Sequence, residues 1–185
     1  GQPLPVEHGY PLRALALGWT GANCVKWLHR IEVLDQPYEG FFMDKVYRVF
    51  QKGADPRSGE AVKDIQVKSI IIEPAKDQAL SAGIVPVRGA AYAGEAGIDY
   101  VEVSVDQGAT WHRAELIGIE QPYAWRHWEF LWEVKSGGDY TIMARAADTN
   151  GRLQPETAHW NALGYGNNGV REHAVTVCID PKQLP

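Results

Sequence analysis

Three cations, His8, Arg13 and Lys26, stand within "HGYPLRALALGWTGANCVKWL", residues 8–28, an otherwise aliphatic stretch broken by Gly9, Gly18 and Gly21. A pair of structural strands needs none of these charges. Arginine grips an oxyanion through two parallel N–H groups, lysine adds a point charge, and glycine lets backbone approach a ligand closely. These residue types suit a phosphate-bearing ligand. They suit a plainer role too, in which Arg13 and Lys26 lay their stems on apolar surface or pair with acids at strand ends, the commoner fate of such cations. Residue chemistry alone leaves both readings open.

Other candidates are weaker. His112, His127, His159 and His173 fall singly on different segments, with no ligand-like spacing to a carboxylate or cysteine. Cys24 and Cys178 lie at opposite ends of the chain, which fits neither a disulfide framework nor a clustered metal motif, so free thiols are expected. Trp111, Trp125, Trp128 and Trp132 could form a stacking platform, but burial in a core or interface is the commoner fate of such rings. The sequence has no G-x-S-x-G, C-x-x-C or P-loop, and no independent catalytic site is expected.

The elements that must position these residues divide near residue 55. Residues 12–17 are continuously apolar, "GWTGAN" supplies turn chemistry, and "CVKWLHRIEVL" alternates loosely before Pro37. They read as buried strands, with a short helical turn at 21–25. "GFFMDKVYRVF", 40–50, fits strand and helix equally. In 51–64, "QKGADPRSGEAVKD", Gly, Pro, Ser and charge accumulate as in a loop or interdomain passage. Beyond it, strands are predicted at 67–74, 84–93, 98–106, 111–118, 125–134, 139–148 and 173–180, a spacing that suggests an immunoglobulin-like sandwich. "DQGATW", 106–111, suits a hairpin connection, and Val101, Val103 and Val105 alternate with Tyr100, Glu102 and Ser104 to give one core face and one wet face.

With 185 residues, 45% of them hydrophobic, the chain can bury one full core and part of a second. A net charge of -5 without any run of Lys or Arg leaves no nucleic-acid footprint and no anionic-membrane anchor. No stretch reaches the apolar length of a membrane helix, and the start lacks the basic and apolar regions of a signal peptide. The opening "GQPLPVEHGYPLR" carries loop chemistry and no start signal, so an upstream segment is expected.

Residues 8–28 resemble the pterin-contacting segment of the sulfite oxidase family of molybdenum enzymes, through His8, Gly9, Tyr10, Pro11 and Arg13, then Gly18, Gly21 and Ala22, then Val25, Lys26, Trp27 and Leu28. The downstream half resembles the same family's dimerisation domain in "VEVSVDQGATW" (101–111), "AWRHWEFLW" (124–132), "ARAADTNGRLQP" (144–155) and "WNALGYGNN" (160–168). The resemblance covers nearly the whole chain. It implies a molybdenum-molybdopterin cofactor touched by His8, Arg13, Cys24, Val25 and Lys26, and completed by an upstream segment that carries the molybdenum-ligating cysteine and the active-site tyrosine. Cys24 stands where several members have a histidine, which implies a backbone contact there. Neither Cys24 nor Cys178 matches the metal-ligating cysteine.

The resemblance further implies a mainly β fold: residues 1–55 end an α+β molybdopterin-binding domain and 62–182 form an immunoglobulin-like dimerisation domain. It implies a homodimer that oxidises sulfite or a related sulfur oxyanion by oxygen-atom transfer, passes electrons to a cytochrome c or similar acceptor, and resides in the periplasm, as bacterial members often do. A fragment of this extent is expected to be inactive alone. One departure bears on substrate: sulfite oxidases of animals and plants read Trp-Asn-x-Arg-Gly where this chain reads Trp160, Asn161, Ala162, Leu163, Gly164, and leucine cannot pair with an anion. Assimilatory nitrate reductases also lack that arginine. The alternatives are a nitrate-reductase-like or other-substrate member of the same family, and a non-catalytic dimerisation module.

Overall fold

The computed structural model describes residues 1–180; positions 181 and 182, assigned above to the end of the dimerisation domain, lie outside the described residues. The chain forms two compact units, one of Gly1–Ile65 with Trp160–Asn167, the other of Gln66–His159 with the chain from Asn168 onward.

The first unit contains little regular structure. Short 3-10 turns occupy Val6–His8, Gly21–Asn23 and Pro56–Ser58, a π turn spans Phe42–Val46, and β1 (Arg48–Val49) pairs antiparallel with β2 (Glu60–Ala61). The apolar stretch 12–17 and the segment 24–34, expected as buried strands, are neither strands nor buried. Leu12, Leu15 and Leu17 are more than half exposed, as are Ile31 and Val33, the last at 95%. A strand needs a neighbour for its N–H and C=O groups and a sheet to bury its face. Among the described residues, the only ladder along 9–14 is three hydrogen bonds from the 24–28 segment: Ala14 N to Val25 O (2.9 Å), Leu28 N to Leu12 O (2.8 Å) and Trp27 N to Gly9 O (3.3 Å). The expected turn at 21–25 is present as Gly21–Asn23, and Asn23 ties it down by donating from Nδ2 to Thr20 Oγ1 (3.1 Å) and Val62 O (3.2 Å).

The 51–64 passage is ordered by side chains. Asp55 caps the Pro56–Ser58 turn by accepting from Arg57 N (3.0 Å), and Arg57 returns to the buried Asp44 with two guanidinium contacts of 2.7 and 3.1 Å.

The second unit is a β-sandwich of immunoglobulin-like type. Its strands among the described residues are β3 (Lys68–Glu73), β4 (Gln78–Leu80), β5 (Gly83–Tyr92), β6 (Ile98–Ser104), β7 (His112–Arg113), β8 (Glu115–Ile117), β9 (Arg126–Val134), β10 (Gly138–Asp148) and β11 (Val175–Ile179). One sheet runs β4-β11-β10-β6-β7, the other β3-β5-β9-β8. Six of the seven expected strands are present near their expected places. The segment 111–118 is a correction: it divides at Ala114 into β7 on one sheet and β8 on the other, with Ala114 N bonded to Val101 O (2.9 Å). Strand β4, parallel to β11, was not anticipated.

Alternation builds the core at Val101 and Val103, fully buried, with Tyr100 and Glu102 partly exposed. It breaks at the strand end, where Ser104, expected on the wet face, is fully buried because its hydroxyl donates to Asp106 (2.7 Å) and accepts from Gly108 N (2.8 Å), and Val105 is only partly buried. Trp128 is fully buried and needs Gly89, because a Cβ there would fall 2.2 Å from both the Trp128 ring and Ile70 O. Trp132 is buried too, whereas Trp125 is half exposed beside Tyr92. Buried Gln154 stitches strands β3 and β10 by accepting from Ser69 N (2.7 Å) and Ala146 N (3.2 Å). The 106–111 connection closes around Asp106, which accepts from Thr110 N, Thr110 Oγ1 and Ser104 Oγ at 2.6–2.9 Å.

Candidate cofactor-binding segment

The site is assembled by two stretches that meet in the first unit, Val6–Arg13 and Cys24–Leu28. The first begins with the Val6–His8 turn, closed by His8 N and Tyr10 N on Pro5 O and by Gly9 N on Val6 O. Gly9 then takes φ +114°, and a Cβ on it would lie 3.1 Å from Lys26 Cβ and 3.4 Å from Arg13 Cβ. The dihedral favours glycine, and a Cβ would further press Lys26 and Arg13 to give by a few tenths of an ångström. The backbones that carry Arg13 and Lys26 therefore pack on the same glycine.

Lys26 reaches back and donates from Nζ to Glu7 O at 2.7 Å, and its ammonium lies 5.6 Å from the Trp27 ring centre. The acceptor is a backbone carbonyl. The carboxylates Glu7 and Glu32 are not its partners, and Glu32 pairs with Arg30 instead. An ammonium has three protons, so Lys26 retains donors for a second acceptor.

Arg13 is half-buried, and its Nε is shut from solvent with no hydrogen-bond partner among the described residues. A buried donor left unmade costs about 1–3 kcal/mol, and each such group asks for an explanation. Pairing with an acid of this chain is not that explanation, since no ion pair of Arg13 occurs among the described residues.

The other residues singled out from the sequence surround this pair. His8 is exposed on the turn next to Gly9. Val25 is exposed, with its carbonyl holding Ala14, and Cys24 is a half-buried free thiol whose N–H closes the Gly21–Asn23 turn. The geometry thus brings Arg13 and Lys26 together around Gly9, with Val25 and Cys24 following on the partner stretch. Sequence reasoning missed the parts that hold the pair in place: Gly9 as packing floor and Trp27, whose indole Nε1 donates to Val6 O at 2.7 Å.

The same unit includes the 160–167 loop. Buried Asn161 closes it, accepting from Tyr165 N (3.1 Å) and donating to Tyr165 O (2.6 Å), and Ala162 N anchors it on Phe50 O (2.8 Å). Trp160 and Leu163 point outward, 69% and 48% exposed.

These donors fit an anionic, oxygen-rich cofactor: an orphaned guanidinium N–H, an ammonium with spare protons, and a backbone frame fixed by glycine. No three His, Cys, Asp or Glu side chains among the described residues converge as metal ligands.

Known proteins are similar over nearly the whole chain. Residues 59–178 match the Mo-co oxidoreductase dimerisation domain, and residues 1–42 match the oxidoreductase molybdopterin binding domain. Human mitochondrial sulfite oxidase is 33% identical over 98% of this chain and 35% of its own length. Nitrate reductase [NADH] 2 of Phaseolus vulgaris is 32% identical over 96% of this chain and 23% of its own length. Among solved structures, the sulfane dehydrogenase SoxCD from Paracoccus pantotrophus is similar with a TM-score of 0.78 and 29% identity, covering 91% of this chain and 44% of that one. The chain thus spans about a third of the human relative's length. With a dimerisation-domain match across most of its residues, and the end of a molybdopterin-binding domain before it, the chain belongs to the sulfite oxidase family of molybdopterin-dependent oxidoreductases.

Proposed function

We propose that residues 1–55 form the end of the molybdopterin-binding domain of a sulfite oxidase or sulfite dehydrogenase type enzyme, and that 62–182 hold two copies of it together. His8, Arg13, Cys24, Val25 and Lys26 form this chain's share of the cofactor surface. The observation that carries the reading is the buried, unpartnered Nε of Arg13, a residue whose Cβ, like that of Lys26, packs toward Gly9. Arg13 offers a fixed fork to the phosphate or another oxygen-rich edge, Lys26 adds a point charge tethered at Glu7 O, and the 24–25 backbone flanks them. When bound, the molybdenum cofactor supplies oxygen-atom transfer: sulfite and water give sulfate, two protons released to water, and two electrons that pass one at a time to two oxidised cytochrome c haems or a similar acceptor.

The rest of the pocket comes from a segment upstream in the same protein, in keeping with the chain's one-third share of the human relative. The exposed aliphatic residues Leu12, Leu15, Leu17, Ile31 and Val33 are the surface that segment covers. Residues 1–185 alone neither hold the cofactor tightly nor turn over sulfite. A periplasmic site follows the resemblance to bacterial members and is checked by cell fractionation. Among the described residues no helix is long and apolar enough to cross a membrane.

The test is Arg13→Met in the full-length protein, with molybdenum and pterin measured per folded molecule. Cofactor content falls well below wild type while the sandwich stays folded. Wild-type cofactor content in that variant overturns the assignment, and a full-length wild-type protein without molybdenum establishes the non-catalytic module instead. A second reading, nitrate reduction, is favoured by the near-equal identity to the Phaseolus nitrate reductase and by Leu163 in the 160–167 loop. Parallel assays with sulfite and with nitrate decide between them.

A further inference from the structure

We infer that Trp27 is a positioning residue, which clamps the Val6–Gly9 turn and thereby sets the placement of His8 and Arg13 toward the cofactor. Trp27 is 55% exposed, so within this chain it is held by its hydrogen bonds more than by packing. Its backbone sits at φ +51°, a left-handed conformation that a bulky side chain adopts only when its surroundings impose it. Two donors of this one residue converge on the turn: the indole Nε1 on Val6 O at 2.7 Å and the backbone N on Gly9 O at 3.3 Å. Its neighbour Lys26 adds a third, Nζ on Glu7 O at 2.7 Å.

The turn's own three backbone bonds, onto Pro5 O and Val6 O, close it but do not fix it against the rest of the chain. None of Val6, Glu7 and His8 is buried, and a three-residue 3-10 turn lacks the length for helical cooperativity. Its placement rests on these cross-chain hydrogen bonds and on Gly9 packed against Lys26 and Arg13. The clamp therefore lets the 24–28 stretch dictate where the His8–Arg13 stretch lies. Pre-set donors bind a ligand without the entropic cost of ordering them, which is how a residue that never touches the cofactor sharpens its retention.

This inference rests on the cofactor reading of Arg13, and the experiment separates the two. In the full-length holoenzyme, Trp27→Phe keeps a ring and loses the indole donor, while Trp27→Asn suits the left-handed backbone and cannot restore the indole contact. Three quantities are read: amide exchange at His8, Gly9 and Tyr10, the rate of pterin release on dilution, and the visible circular dichroism of the bound cofactor. Both variants are expected to raise exchange and release by about two- to tenfold, the worth of one hydrogen bond, and to change the dichroism, with protection of β5 and β9 unchanged. A tryptophan that merely stabilises the fold leaves the dichroism of still-loaded molecules at wild type. That result, wild-type exchange at 8–10, or protection lost equally through β5 and β9, overturns the inference. Arg13→Met serves as the control: if it keeps wild-type cofactor, the cofactor reading falls while the exchange data still report on the clamp.

Discussion

The ammonium of Lys26 donates to the backbone carbonyl of Glu7 at 2.7 Å, so a cation that sequence alone would pair with a carboxylate instead ties two stretches of chain together. A bond from a charged donor at a partly exposed site contributes about 0.5–1.5 kcal/mol. Lys26→Met is expected to speed amide exchange in the 6–10 turn, and Glu7→Gln, which leaves the carbonyl intact, is expected to leave it unchanged. Equal effects of the two substitutions would show that the Glu7 carboxylate matters after all.

Asp106 sets a pH dependence in the second unit. Hydrogen bonds from the Thr110 hydroxyl, the Thr110 N–H and the Ser104 hydroxyl hold its carboxyl down to about 2, from an ordinary value of 3.8. A depressed folded-state value means that the ionised form stabilises the fold above pH 3.8, and that this contribution fades as pH falls toward 2. Asp106→Ala should therefore lower the melting temperature at neutral pH, with the gap to wild type closing between pH 4 and pH 2. A gap that stays constant across that window would assign the effect to packing.

Gln154 is the buried link between strands β3 and β10. Replacing it by leucine leaves Ser69 N and Ala146 N without their side-chain acceptor, at a cost of about 1–3 kcal/mol for each group left unsatisfied. Thermal unfolding of Gln154→Leu should show a loss of several degrees, with no change in the exchange of the Val6–His8 turn.

Cys178, exposed on β11, faces Asp139 across the β10–β11 pair. A hydrogen bond to Asp139, with burial and the charges of Asp139 and Asp180, pushes its thiol above the ordinary value. At pH 8 it should react slowly with iodoacetamide despite its exposure, and Asp139→Asn should accelerate the reaction by lowering that value. Mass spectrometry of the Cys178 peptide over time measures both rates.

Legibility from sequence was highest where an element packs on another element of the sandwich. The Val101, Val103 pattern pointed to a core face because the opposing sheet, with Val87 and Trp128, is present to bury it. The 12–17 run looks as apolar as any strand, yet Leu15 is 67% exposed, because hydropathy reports what a segment could bury and not whether it packs in a sheet. The division of 111–118 at Ala114 left no trace in composition, since one residue suffices to carry the chain from one sheet to the other. The three-residue β4 has no alternation to reveal it. At the site, residue types announced Arg13 and Lys26. The Trp27 contact was hidden, because it depends on a left-handed backbone that no spacing rule anticipates.

The 160–167 loop groups with the first unit although 66–159 and the residues from 168 onward belong to the second, so the polypeptide changes unit three times, after residues 65, 159 and 167. A gene exchange that imports the sandwich from another family member as one continuous cassette must therefore import Trp160, Asn161 and Leu163 as well. Recombination at a single junction near residue 65 couples the inheritance of the sandwich to that of a loop in the other unit. A clean chimera needs two additional joints, one on each side of that loop.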